Sequence, residues 1–267
     1  MKKTVHPSRD ITADEIEETL ISMADSVQRE ILCRFFKTGK GEYGEGDRFL
    51  GLKVPRTRAV VREGKLRISL PEICKLLYSP WHEARLCGFL LLVEEMNSLL
   101  PRGRRHDTAD SARQRREIAE FYLSHARQAN NWDLVDLSAP YILGQWLLHP
   151  LPDGNRPDRE ILDRLAASDN LWEQRIAIVS TAALIRSGEF DDTFRIARRL
   201  LSHPHDLIHK AVGWMLREVG KRDLPLMLGF LAEEYSRLPR TTLRYAIERL
   251  PEDERRRWLH GCFDKNS

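Results

Sequence analysis

The sequence predicts an all-α protein, a right-handed α-α superhelix in the form of a HEAT-like repeat solenoid whose concave groove is basic. Three observations carry that expectation. Apolar residues recur with helical spacing along most of the 267 residues, while strand-like alternation is nearly absent. Charged residues make up 31% of the chain beside 42% apolar residues, the balance of a real core with much exposed helix surface. A short pattern, one ionisable residue just ahead of a small-plus-apolar run, returns at repeat-like intervals.

The elements follow in order. Lys2 and Lys3 are followed by His6, Pro7, Ser8, Arg9 and Asp10 with no apolar core of a secretory signal, and no apolar run approaches the roughly 18 residues that span a bilayer. A cytoplasmic location is therefore expected, with no membrane partner. Thr12-Ala13-Asp14-Glu15 reads as a capping box opening a helix with Ile16, Leu20 and Met23 on one face. A glycine-rich loop from Gly39 to Gly51 follows, carrying the acids Glu42, Glu45 and Asp47. Pro55 and Pro71 suit first turns of short helices, and Ser79-Pro80 reads as an N-cap with a first-turn proline.

From Trp81 the pattern repeats. The segments beginning at Trp81, Trp132, Trp172, Leu207 and Thr242 each open a helix, and Arg85, Asp136, Arg175, Lys210 and Arg244 take equivalent places, 51, 39, 35 and 34 residues apart. The long first interval contains an insertion from Pro101 to Arg116, with Arg102, Arg104, Arg105, Arg113, Arg115 and Arg116, expected to be a flexible charged loop. Pro150 to Pro157 and Ser202 to Pro204 read as interhelical loops. The whole, 1–267, reads as a single domain, with N-terminal helices at about 12–63 and repeats at about 70–260.

The chemistry lies in the row. The net charge is only +3, so a nucleic-acid role requires local concentration of cations. Arg85, Arg175, Lys210 and Arg244 suit phosphates, and Asp136 is the exception among them. A carboxylate there makes sense beside something positive, such as a deoxyribose gaining oxocarbenium character as a cationic alkylated purine departs. Trp132, one turn before Asp136, and Trp214, one turn after Lys210, offer indole faces to a cationic lesion.

These residues resemble the AlkD-type DNA alkylation repair glycosylases, a HEAT-like repeat family. The likeness rests on Trp132-Asp133-Leu134-Val135-Asp136, on Trp172 through Ile178, on Lys210 through Glu218, and on Asp47 through Pro55, and runs from about residue 15 to 250. It implies excision of positively charged N3- and N7-alkylated purines, such as 3-methyladenine and 7-methylguanine, from duplex DNA. It further implies that no metal or cofactor is used and that the base is not flipped into a deep pocket. Carried onto this chain, the resemblance makes Asp136 the catalytic carboxylate. Trp132 and Trp214 become the aromatic contacts and Arg175 the phosphate-facing cation, with Lys210, Arg85, Arg244 and Arg217 as further DNA-binding residues. A monomer acting as a monofunctional glycosylase is expected.

Plainer readings stand beside these. A Trp and an Asp one turn apart on a helix are more often packing and a local cap. Asp133 reads as a solvated residue or a partner for a nearby Arg, and Trp81 and Trp146 as interhelical packing. Trp258 reads as core or a C-terminal lid, and Tyr43 and Phe49 as loop residues pinned to the core. His82, His203, His205 and His209 form no evident constellation. Cys33, Cys74, Cys87 and Cys262 contain no C-x-x-C pair, which argues against zinc or a disulfide framework. The alternative function is a non-catalytic repeat protein that binds branched or distorted DNA. A third is a protein-interaction solenoid with no affinity for DNA.

Overall fold

The computed structural model describes residues 11–101 and 107–263. Among them are fifteen α-helices and no strand, an all-α helical repeat fold. Two compact units make up the chain, one of residues 1–142 with 151–154, the other of residues 143–150 with 155–267.

The first unit holds α1 (Ala13–Ser22), α2 (Ser26–Phe35), α3 (Val54–Gly64), α4 (Leu70–Leu77), α5 (His82–Leu99), α6 (Ala109–Ser124) and α7 (Trp132–Asp136). The capping box forms: Thr12 Oγ1 accepts from the Glu15 amide, the Glu15 carboxylate accepts from the Thr12 amide, and Ile16 and Leu20 are buried. Pro55 and Pro71 sit in the first turns of α3 and α4. The Ser79-Pro80 expectation needs correcting. α5 begins at His82 with Trp81 as its N-cap, and Ser79 Oγ instead accepts from the Trp81 amide at 3.1 Å, which turns the chain into the helix.

Helix α5 is the central element. Leu86, Cys87, Phe89, Leu90, Leu91, Leu92 and Val93 are all buried, so apolar residues surround the axis instead of forming a stripe. Burial in that setting pushes the Cys87 thiol up to about 12. A helix apolar all round has no wet face for its charges, so His82, Glu83 and Arg85 must be paired.

The insertion expected as a charged loop is helix from Ala109 onward. Thr108 caps α6, and Arg113, Arg115 and Arg116 lie within it. Arg115 is fully buried and donates to both carboxylate oxygens of Asp107, at 2.6 and 2.7 Å, and to the Leu99 carbonyl. Arg113 and Arg116 pair along the helix with Asp110 and Glu120. Arg102, Arg104 and Arg105 lie outside the described residues, as do Lys2, Lys3 and His6.

The second unit holds α8 (Leu143–Leu148), α9 (Glu160–Ala166), α10 (Leu171–Arg186), α11 (Asp191–Leu200), α12 (Asp206–Gly220), α13 (Leu224–Glu234), α14 (Arg240–Ala246) and α15 (Glu252–His260). Here the repeats are plain: α10 packs on α12 and α12 on α14, with α9 and α11 against α10 and with α11 and α13 against α12. The α12–α14 approach is close enough that a Cβ at Gly213 would collide with the Thr242 carbonyl oxygen. Arg159 binds Glu189 and Asp192, and Arg195 and Arg199 bind Asp163, lacing α9 to α11. Trp258 is buried and stacks on Phe263, with ring centroids 3.9 Å apart, which gives it a core role.

Candidate active site and nucleic-acid interface

In the first unit the site grows from the start of α7. Asn131 is its N-cap: the side-chain oxygen accepts from the Trp132 amide at 2.9 Å, and the side-chain nitrogen donates to Asp47 at 3.1 Å. Trp132 and Asp136 begin and end this helix, one turn apart, and both are half-buried. The helix stops there, so Asp136 closes a short turn and does not open a long repeat helix.

An aromatic stack supports Trp132. Its indole lies nearly parallel to buried Phe36, 5.1 Å between centroids at 18°, and meets Phe35 edge-on at 5.8 Å. Phe36 stacks in turn on Phe49, and Phe49 on the ring of His82 at 4.3 Å. Phe49 is therefore core, as a pinned loop aromatic should be, while Phe35 is 61% exposed beside the indole.

Beneath the stack is a buried charge cluster that sequence reasoning missed. His82 Nδ1 lies 2.8 Å from Asp47 and Nε2 lies 3.0 Å from Asp133, while Arg85 reaches the other oxygen of Asp47 at 2.5 Å. Burial alone disfavours a charged ring, but the facing carboxylates of Asp133 and Asp47 outweigh it and raise the His82 pKa to about 9. Burial also works against an ionised Asp47, yet His82, Arg85 and Asn131 together hold its carboxyl below the usual range.

Glu83, next along α5, accepts from the amides of Leu50, Gly51 and Leu52 at 2.8 to 2.9 Å. That fixes the end of the glycine-rich loop. Gly51 has a positive φ of 93°, and a Cβ there would strike the Asp25 carbonyl oxygen at the N-cap of α2.

Two expectations are corrected here. Asp133 is neither solvated nor paired with an arginine; it is buried against His82. The acids of the glycine-rich loop are tied in place: Glu42 and Glu45 accept from the Gly39 and Gly41 amides, and the Asp47 side chain is buried. Arg85 does not join a solvated row, being 5% exposed and committed to Asp47 and to the Ser79 carbonyl. The signal available in sequence is the placement of His82, Glu83 and Arg85 directly ahead of the uncharged run Leu86 to Val93.

In the second unit Arg175 is likewise 5% exposed and donates to the Leu207 carbonyl at 2.6 Å, joining α10 to α12. This corrects its reading as an open phosphate-facing cation, because a guanidinium used between helices is not offered to solvent. Lys210 is half-exposed and pairs with Asp206 at 2.8 Å, and Arg244 is exposed on α14. Arg217 pairs with Glu248. Trp214 is half-buried, its Nε1 donating to Glu218 at 3.2 Å. Around the α11–α12 loop His203 Nδ1 accepts from the His205 amide, His205 Nδ1 accepts from the Leu207 amide, and His209 Nε2 lies against the His203 carbonyl. Among the described residues no group of His, Cys, Asp and Glu is arranged to hold a metal ion, and no helix is long and apolar enough to cross a membrane.

The chain is thus an all-α helical-repeat protein whose first unit carries a supported indole with a carboxylate one turn away. The chain belongs to the DNA alkylation repair enzyme family, whose model matches residues 16–250. It is therefore a protein of DNA repair, with DNA as the partner its family implies. A solved structure, a predicted DNA alkylation repair enzyme from Enterococcus faecalis, shares the fold at a TM-score of 0.59 and 15% identity, over 86% of this chain and 97% of that one. No curated protein matches the chain.

Proposed function

We propose that the protein is a monofunctional DNA glycosylase that hydrolyses the N-glycosidic bond of cationic N3- and N7-alkylated purines in duplex DNA. The observation that carries this reading is the pairing of half-exposed Trp132, backed by buried Phe36, with half-exposed Asp136 one turn further on. A supported indole presents its face without losing side-chain freedom on binding, and that face attracts a cationic nucleotide by about 0.5–2 kcal/mol.

The alkylated base already carries positive charge, so it leaves without a general acid. As the bond stretches, charge passes to the sugar, and the Asp136 carboxylate stabilises it and orients the attacking water. Two opposite charges about 4 Å apart are worth roughly 4 kcal/mol at an effective dielectric near 20, which corresponds to several hundredfold in rate. No lysine nucleophile enters, so the product is an abasic site with the strand intact. Lys210 and Arg244 serve as phosphate contacts of the second unit, with Trp214 and Arg217 beside them on α12. The protein acts as a monomer on cytoplasmic, nucleoid-associated DNA.

The test is release of free base from duplexes carrying 7-methylguanine or 3-methyladenine. Wild type should release base above the spontaneous rate, and Asp136→Asn should bind as well while releasing at least about a hundredfold less. Binding without release by wild type overturns the glycosylase reading and assigns the chain to non-catalytic binders of distorted DNA.

A further inference from the structure

We propose that His82 is a positioning residue for base excision: bridging Asp47 and Asp133 as a buried imidazolium, it sets α7 and with it the pose of Trp132 and Asp136. The inference rests on the glycosylase reading for its catalytic consequence and on geometry for the bridge itself.

The bridge follows from donor counting. Each ring nitrogen lies within hydrogen-bond distance of a carboxylate oxygen, 2.8 Å to Asp47 and 3.0 Å to Asp133. Carboxylates only accept, and a neutral imidazole has one N–H, so only the doubly protonated ring satisfies both. The groups facing it balance. Asp47 comes from the loop, Asp133 from α7 and Arg85 from α5, giving two negative and two positive charges with His82 included. Glu83, also on α5, is turned away onto three loop amides. A buried pair of carboxylates lacking the imidazolium would be left with one guanidinium, which reaches Asp47 alone.

The bridge reaches the site by two short routes. Asp133 is the residue after Trp132 and lies three before Asp136, and its other oxygen accepts from the Leu134 amide inside α7. Asp47 holds the helix N-cap through Asn131. The first turn of α7 is therefore tied at two points to one charged ring, and Phe36 and Phe49 lie against that ring while Phe36 also supports Trp132. A helix of one turn has little stability of its own, so its orientation depends on such ties. The raised pKa of His82, about 9, agrees with a ring that stays charged at neutral pH.

The experiment compares full-length wild type, His82→Gln and Asp133→Asn by ring-nitrogen NMR and by single-turnover excision of 7-methylguanine across pH. In wild type, both His82 ring nitrogens should carry protons at about pH 8, and excision should fall as pH passes about 9. His82→Gln should excise at least about 30-fold more slowly while its Kd for undamaged duplex moves less than about threefold. Asp133→Asn should shift the alkaline limb to lower pH, which loss of packing alone would not do. A singly protonated ring at pH near 8, an unshifted limb in Asp133→Asn, or His82→Gln excising within about threefold of wild type overturns the proposal. Should His82→Gln not fold, the ring spectrum and the two remaining pH profiles decide. If wild type releases no base, the glycosylase reading fails, and the ring spectrum still decides the bridge.

Discussion

Trp132 lies almost parallel to Phe36, 5.1 Å between ring centroids with 18° between planes, so the half-buried aromatic of the candidate site is an extension of a buried one. Phe36 in turn belongs to the core that holds Phe49 and His82. The pose of the indole is thus decided by packing below it, and changes to that packing should register at the site.

Replacing Phe36 by Ala removes a buried ring touching four aromatic neighbours. Such a truncation costs about 3–5 kcal/mol. Urea denaturation should show that loss, and the Trp132 emission should move to longer wavelength as its support disappears. A stability loss below about 1 kcal/mol would mean that the cavity collapses and the stack is not the indole's support.

Glu83→Ala strands the amides of Leu50, Gly51 and Leu52, all of which end on that carboxylate. Buried unsatisfied donors cost about 1–3 kcal/mol each, with partial relief if water enters. The expected result is a variant destabilised by at least about 3 kcal/mol, with amide exchange at residues 50–52 faster than in α5. Unchanged protection of those three amides would contradict the role given to Glu83.

The His82 bridge makes stability depend on alkaline pH. The folded pKa, about 9, lies above the ordinary value of 6.5, so the contribution is full below the ordinary value and is lost as pH rises through the folded one. The difference amounts to about 3 kcal/mol. Urea midpoints measured on either side of that window should fall with rising pH in wild type and fall less in Asp133→Asn. A flat wild-type profile across the window would refute the raised value.

Arg175 and Arg244 hold equivalent repeat positions yet should behave oppositely. Arg175→Ala removes a buried guanidinium that donates to the Leu207 carbonyl, and should destabilise by about 2 kcal/mol or more. Arg244→Ala, at an exposed position, should change stability by less than about 0.5 kcal/mol. In binding, Lys210→Ala combined with Arg244→Ala should lower the slope of log Kd against log salt by about 2, because each of the two cations neutralises one phosphate. An unchanged slope would remove these two cations from the interface.

Much of the fold could be read from the chain because it is local. Helical spacing, the Thr12–Glu15 box, the first-turn prolines and the recurrence at Arg175, Lys210 and Arg244 each depend on a few neighbouring residues, and each appears in the structure as a helix, a cap or a stacked repeat. Charge density in the arginine-rich insertion predicts a solvated loop, whereas Thr108 caps a helix there and Arg115 finds a buried partner in Asp107.

Local pattern is enough for the all-α class, the repeat interval, the family resemblance and the choice of Trp132 and Asp136 as candidates. Which charges are available depends on packing between distant segments. Arg85 and Arg175 share the repeat position of Lys210 and Arg244, but burial commits the first two to Asp47 and to a backbone carbonyl. Periodicity fixes which face of a helix a residue occupies. Whether that face meets water or another helix, and whether His82 meets two carboxylates from residues 35 and 51 positions away, depends on contacts between distant segments that no local pattern contains.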